Sequence, residues 1–254
     1  MPKPRTHATE AQLWAALSQW LKVEPGSLVA DAEMAELADV LPDLFGYHLI
    51  QIGAYPLRSY TAASRITHRA VCRVGNAAED GSGCELAADS DALPLAAASV
   101  DVVVLPHTLE LAAAPHGVLR EVERVLVGEG HVVILCFNPL SIWGLWRPFV
   151  AWRDRIPWNV RFFSVSRIRD WLTLLGFEIS EIRKFVFRPL LGRAGFNRRL
   201  AFLEKLGAYC WPFFGAVYLM VGRKRVAAAT PIRATWKSRR RVLGSGVVEP
   251  STRV

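Results

Sequence analysis

The chain has 254 residues, 52% of them hydrophobic and 21% charged, which excludes a disordered protein and leaves room for one large core. Its net charge of +8 sits at the end: from Arg223 onward nine Lys/Arg face one acid, Glu249, while the residues before are balanced. That argues against a folded body built to bind nucleic acid. The longest apolar run, 209–221, has 13 residues, and a spanning helix needs about 20, so no secretory or spanning segment is expected. Cys72, Cys84, Cys136 and Cys210 form no C-x-x-C pair, so neither a disulfide framework nor a metal site is expected, and a reducing, cytoplasmic setting fits.

Residues 10–21 put Leu13, Trp14, Leu17, Trp20 and Leu21 on one helical face, and Pro25-Gly26 ends that helix. Residues 31–41 read as a second helix, with Met34, Leu37, Ala38 and Leu41 on one side. The first strand is expected at 47–52, and Gly53 opens the turn after it. The second falls at 70–74, followed by Gly75-Asn76. Asp89 and Asp91 then precede Leu93-Pro94. Residues 100–105 are almost wholly β-branched or apolar, as in a parallel-sheet strand covered on both faces. Pro106 and His107 lie just past it. In a helix at 115–127, Val118, Leu119, Val122, Val125 and Leu126 share a face, and Gly128 and Gly130 are expected to stop it. A strand at 131–137 completes a βαβ unit and runs into Asn138-Pro139. Such units cross over right-handedly, and their ligands sit past the carboxyl ends of the strands.

The segment 139–163 holds Trp143, Trp146, Trp152 and Trp158 with four arginines and one acid, Asp154. Trp143, Trp146 and Val150 fall on one helical face. A lid, an interfacial membrane contact and plain aromatic packing are open readings, with a stacking platform for single-stranded nucleic acid ranked last. Residues 164–175 form an amphipathic helix, capped by Ser164 or Ser166 and ended by Gly176. A strand at 177–187, a helix at 200–206 and a last strand at 212–221, interrupted at Gly215, follow. Beyond about Val226 periodicity is lost, and a flexible basic tail is expected over 227–254.

The stretch 84–139 resembles the class I S-adenosylmethionine-dependent methyltransferases, in particular their ubiquinone/menaquinone-biosynthesis-like branch. The likeness is carried in order by Asp89, Leu93-Pro94, Asp101, His107-Thr108-Leu109-Glu110, Leu119-Arg120-Glu121, Arg124-Val125-Leu126 and Gly130. Weaker echoes extend it over roughly residues 45 to 225. A bacterial subgroup of the branch shares the Phe-Asn-Pro ending and the Trp-rich segment after it. The resemblance implies a Rossmann-like α/β fold: a seven-stranded, mostly parallel sheet with its last strand antiparallel and helices on both faces. It divides the chain into an N-terminal helical region (1–44), a methyltransferase-like domain (45–226) with the Trp/Arg-rich insertion, and the tail.

It also implies S-adenosylmethionine as cofactor, a small-molecule acceptor and no metal. The cofactor-binding candidates are Gln51, Gly53, Asn76, Asp89, Ser90 and Pro106, and His107 is the catalytic candidate. The family's first turn carries an acid and three glycines; here those places hold Gln51, Gly53, Tyr55 and Leu57. Gln51 can still accept a hydrogen bond from a cofactor ammonium, without supplying charge. Tyr55 could instead fill the cofactor's place. Asn76 stands where the family has the ribose-binding acid. Asp89 with Ser90 matches the adenine-binding acid, or is a solvated turn carboxylate. His107 either faces the pocket and takes a proton, or is a hydrogen-bonded histidine at a helix entry. The N-terminal helices either cover a substrate pocket or pack on the sheet edge. Asp101 and Glu121 are expected to anchor loops or helix ends, with Arg120 and Arg124 as their partners. The tail touches RNA or anionic lipid, or is a solvated extension. Two functions follow: an active methyltransferase, and a binding or assembly protein that keeps the fold without catalysis, suggested by the altered turn.

Overall fold

The computed structural model describes residues 10–53, 60–74, 86–150, 160–187 and 213–226. Seven strands form one sheet in the order β3-β2-β1-β4-β5-β7-β6. They are β1 (His48–Ile52), β2 (His68–Val74), β3 (Leu86–Ala88), β4 (Val100–Pro106), β5 (Leu126–Phe137), β6 (Phe177–Phe185) and β7 (Val217–Lys224). The first five are parallel. β7 runs antiparallel between β5 and β6, pairing Ile134 with Met220 on one side and Ile182 with Met220 on the other. The expected fold class, with its antiparallel last strand, is therefore the observed one.

Helices α1 (Glu10–Lys22) and α2 (Gly26–Val40) precede the sheet; α3 (Thr108–Leu111) and α4 (Pro115–Val125) join β4 to β5; α5 (Ile142–Val150) and α6 (Val165–Leu174) follow β5. α2 begins five residues earlier than the sequence pattern suggested, directly after the turn at Pro25. α4 starts on Pro115, whose fixed φ suits a first helical position. Its Val118, Leu119, Val122 and Val125 are fully buried, and each such side chain contributes about 1.5–3 kcal/mol of burial. Ser164 caps α6 by accepting from Arg167 N at 3.3 Å, and Gly176 at φ 81 turns the chain away from it.

The start of β5 corrects the sequence reading. Gly128 and Gly130 do not stop a helix; α4 ends at Val125 and the strand already runs from Leu126. Between the pairs Val100–Leu126 and Val102–His131 the register shifts, and Glu129 lies at φ 66. The glycines belong to a bulge. A Cβ on Gly130 would stand 2.9 Å from Asp101 O of the neighbouring strand, so the close approach of two backbones excludes a side chain there.

The polar pins Asp101 and Glu121 anchor the chain as expected, with Arg124 as a partner of Glu121, while exposed Arg120 pairs with neither. Asp101 accepts from Tyr47 N and His48 N at 2.8 and 2.9 Å and fixes the entry to β1. Glu121 accepts from Leu93 N and pairs with Arg124, whose guanidinium also reaches Leu93 O and Leu95 O. In α5, Trp143 is buried while Trp146 is exposed, so the shared face expected for them does not pack as one. The expected helix at 200–206 and the tail at 227–254 lie outside the described residues.

Candidate active site

Because β1 to β5 are parallel, their carboxyl ends share one edge. There lie Gln51 near the end of β1 and Gly53 just after it, Asp89 and Ser90 after β3, Pro106 and His107 at the end of β4, and Asn138 after β5. Asn76, Tyr55 and Leu57 lie outside the described residues. Three bonds tie the edge together. Gly53 N donates to Cys72 O at 2.8 Å, Thr108 Oγ1 donates to Ile52 O at 2.7 Å, and His107 N donates to Leu135 O at 2.9 Å.

Gln51 is buried, and its Nε2 donates to Gly53 O at 2.8 Å. Its Oε1 is buried without a hydrogen-bond partner. Leaving an acceptor dry and unpaired costs about 1–3 kcal/mol, so such an atom points to a donor that arrives from outside the chain. Beside it Gly53 sits at φ 99, and a Cβ there would stand 2.4 Å from the ring of Trp14. Helix α1 thus roofs the β1 end with an indole. The unsatisfied Gln51 Oε1 fits a cofactor ammonium, while the place of a side chain at Gly53 is taken by the Trp14 ring. Asp89 is exposed at the end of β3, where its backbone bridges to Ala92, and Ser90 beside it is buried.

His107 lies at the centre of a network that the sequence reading missed. Its Nδ1 is 2.6 Å from Glu110 Oε2 and its Nε2 is 2.7 Å from Glu33 Oε1, with all three side chains fully buried. Tyr60 Oη donates to the other oxygen of Glu33 at 2.7 Å, and Phe137 N donates to the other oxygen of Glu110 at 2.6 Å. The carboxylates accept from both sides, so every oxygen has a partner. Phe137 also stacks on the imidazole, with ring centroids 4.1 Å apart, and Trp20, Trp143 and Phe162 surround Phe137.

Burial, the largest single influence, pushes the His107 pKa down. The charges of Glu33 and Glu110 and their hydrogen bonds outweigh it and hold the pKa up at about 10. The histidine is therefore an imidazolium at neutral pH. Burial raises Glu110 to about 7, against the pull of His107. Both ring nitrogens are engaged in this arrangement. The unusual backbone of His107, φ 54 at the entry to α3, turns the ring inward.

A signal for this network was present. Glu33 falls on the buried stripe of α2 with Val29, Ala30, Leu37 and Val40, where a carboxylate has no place unless paired. Glu110 follows His107 by three residues. Cys136, also buried, has its thiol pKa pushed up by burial. A cavity of about 630 Å³ opens at the amino ends of β1, β2 and β4, beside His48, His68 and Arg69. It lies at the opposite edge from these groups. Among the described residues no cluster could hold a metal ion, and no helix is long and apolar enough to cross a membrane.

Comparison with known proteins bears on the fold and the family. Residues 60–134 match the family described as "Methyltransferase domain". Protein YafS of Escherichia coli (strain K12) is 33% identical over 211 residues, covering 83% of this chain and 82% of its own. Among solved structures, a S-adenosylmethionine-dependent methyltransferase of Thermotoga maritima, described as a possible histamine N-methyltransferase, superposes with a TM-score of 0.60. It is 20% identical, and the match covers 84% of this chain and all of that one. A methyltransferase of Archaeoglobus fulgidus gives a TM-score of 0.55 at 16% identity, covering 76% of this chain and 94% of its own. At these identities the two structures share the fold.

Proposed function

We propose that this chain, which belongs to the class I S-adenosylmethionine-dependent methyltransferase family, transfers a methyl group from S-adenosylmethionine to a small-molecule acceptor. The observation that carries the reading is the unpartnered Gln51 Oε1, buried beside Gly53. Gln51 accepts from the cofactor ammonium, and the missing Cβ at Gly53 makes room for the Trp14 ring that covers this end of β1. Asp89, with Ser90 beside it, receives the adenine amino group, and Pro106 lines the rim between them. When bound, the cofactor supplies a methyl group already activated on a sulfonium. What remains for the protein is to hold the acceptor in line and keep water out.

His107 serves that task by position. Clamped between Glu33 and Glu110, it fixes α2, the end of β4 and the start of α3 against one another. No dedicated base is required unless the acceptor atom is weakly acidic. The ubiquinone-like branch, and with it an apolar or aromatic acceptor, rests on the resemblance of the segment 84–139. The comparisons do not favour the reading of a fold kept without catalysis.

Calorimetry of the purified chain with S-adenosylmethionine tests the proposal. Saturable heat is expected, and Gln51→Leu should weaken binding about tenfold, the worth of one hydrogen bond to a charged group. No heat at millimolar cofactor would sink it.

A further inference from the structure

The cavity of about 630 Å³ at the amino ends of β1, β2 and β4 stands apart from the candidate active site, and its volume is that of a small-molecule site. His48 opens β1 and Ile52 ends it, roughly 13 Å away at about 3.3 Å per residue. Methyl transfer needs contact between acceptor and cofactor, so a ligand of this cavity is not the acceptor.

The walls are held in place one by one. Asp101 accepts from His48 N at 2.9 Å, and the register pairs His48 with His68, their ring centres 5.3 Å apart. Arg69 Nη1 donates to Thr61 O and Ala62 O at 3.2 Å each. That fixes the guanidinium and leaves its Nε and Nη2 without a bond among the described residues. The wall at 94–99 is held by Arg124 Nη2, which donates to Leu95 O at 2.9 Å, and by Ser99 Oγ, which donates to Ala96 O at 2.7 Å. The cleft is formed before any ligand arrives.

Its lining selects a ligand by charge. One guanidinium, two imidazoles and the Thr67 hydroxyl line it, and no carboxylate does. The unengaged edge of Arg69 offers two N–H groups in the fork geometry that suits an oxyanion. Each imidazole has an N–H to donate, and neither ring is hydrogen-bonded among the described residues. Three terminal oxygens of a phosphate take up these donors more fully than the two of a carboxylate. Beside them Ala70, Pro94, Leu95 and Ala96 give an apolar wall, which asks for a ligand with a carbon body. A nucleic-acid backbone would need cations spread over a face, whereas the chain before Arg223 is balanced in charge.

We propose that this cavity is a second ligand site, for a small organic phosphate monoester. Its phosphate lies against Arg69, His48 and His68, and its apolar body rests on Pro94 and Leu95. This goes beyond methyl transfer and does not depend on it.

The full chain, isotope-labelled at histidine and free of cofactor, tests the proposal. It is titrated with phenyl phosphate, phenol and inorganic phosphate while the ring signals are followed by nuclear magnetic resonance. The His48 and His68 signals should move to saturation with phenyl phosphate, while those of His107 and His116 stay in place. Phenol should move none of them, and inorganic phosphate should bind about tenfold more weakly, for want of apolar contact. Arg69→Ala should weaken phenyl phosphate about tenfold, the worth of a charge-assisted hydrogen bond. Because that substitution also removes the bonds to Thr61 and Ala62, His68→Glu, on an exposed side chain, gives a separate reading. It sets a carboxylate against the phosphate and should abolish the shift of His48. Four results would overturn the proposal: no saturable shift, all ring signals moving together, binding that neither substitution alters, or inorganic phosphate binding as tightly as phenyl phosphate, which would mean an adventitious ion only. Displacement of phenyl phosphate by lower concentrations of single-stranded RNA would overturn it too.

Discussion

Helix α2 is anchored by charge at two places, three residues apart in sequence. Glu33 reaches into the interior and meets His107 and Tyr60 with no exposure at all. Glu36, one turn on, meets Arg183 of β6 at 3.4 Å in water, where Asp39 shares the same guanidinium at 3.5 Å. Both anchors join a carboxylate to a cation. They differ in what happens when one partner is lost. In the interior the surviving charge has no water to fall back on, whereas at the surface water replaces the partner at little cost. The same contrast separates two pairs of identical spacing, His107–Glu110 and Glu121–Arg124, each three residues apart.

Breaking the inner anchor should give the largest effect. Glu33→Ala leaves Tyr60 Oη without its acceptor and removes one of the two carboxylates that hold the imidazolium. A loss of about 3–5 kcal/mol is expected in urea unfolding, with early proteolysis of α1 and α2. A loss under about 1 kcal/mol would mean that the interior anchor behaves like a surface one.

The pH dependence should show the same network from another side. His107 holds its proton up to about 10 in the fold and about 6.5 when unfolded, so its contribution is complete below pH 6.5 and lost as pH rises through about 10. Glu110 is raised to about 7, so its contribution too is greatest below the ordinary carboxylate pKa and falls as pH rises through about 7. Both act in one direction, and unfolding free energy should decline steadily from weakly acidic to alkaline pH. His107→Gln should flatten that decline.

Glu121→Ala sharpens the comparison at intermediate burial. It frees Leu93 N and loosens Arg124, and about 1 kcal/mol is expected. Because its partners hold the Glu121 pKa down, with the Arg124 hydrogen bond foremost, its contribution is present above the ordinary carboxylate range and is lost as pH falls. That is the opposite sign to the interior network, so the two can be told apart by titration. Arg183→Ala should matter least, at most about 0.5–1 kcal/mol, and chiefly at low salt.

How far the sequence revealed all this varies with distance along the chain. The strand at 100–105 and the stripe of α4 were readable because their apolar periods are local, and the parallel order followed from the strand-helix-strand pattern. The bulge of β5 was misread because a pair of glycines serves equally to end a helix and to admit a neighbouring backbone; only the position of Asp101 O distinguishes them. The partnership of Glu33 with His107 spans 74 residues. Nothing local announces it except a carboxylate standing on an apolar stripe. Gln51 was singled out by its place in the sequence, and only packing reveals that its Oε1 is left without a donor.

The place of β7 has a consequence for how the polypeptide is made. β6 pairs with β7 and has no bond to β5, so while the nascent chain ends short of Val217, the flank of β5 has no neighbour to close it. The five parallel strands can pair before that, but synthesis must proceed almost to Lys224 before the last two strands close the sheet, and until then a long hydrophobic margin stands open to cellular chaperones.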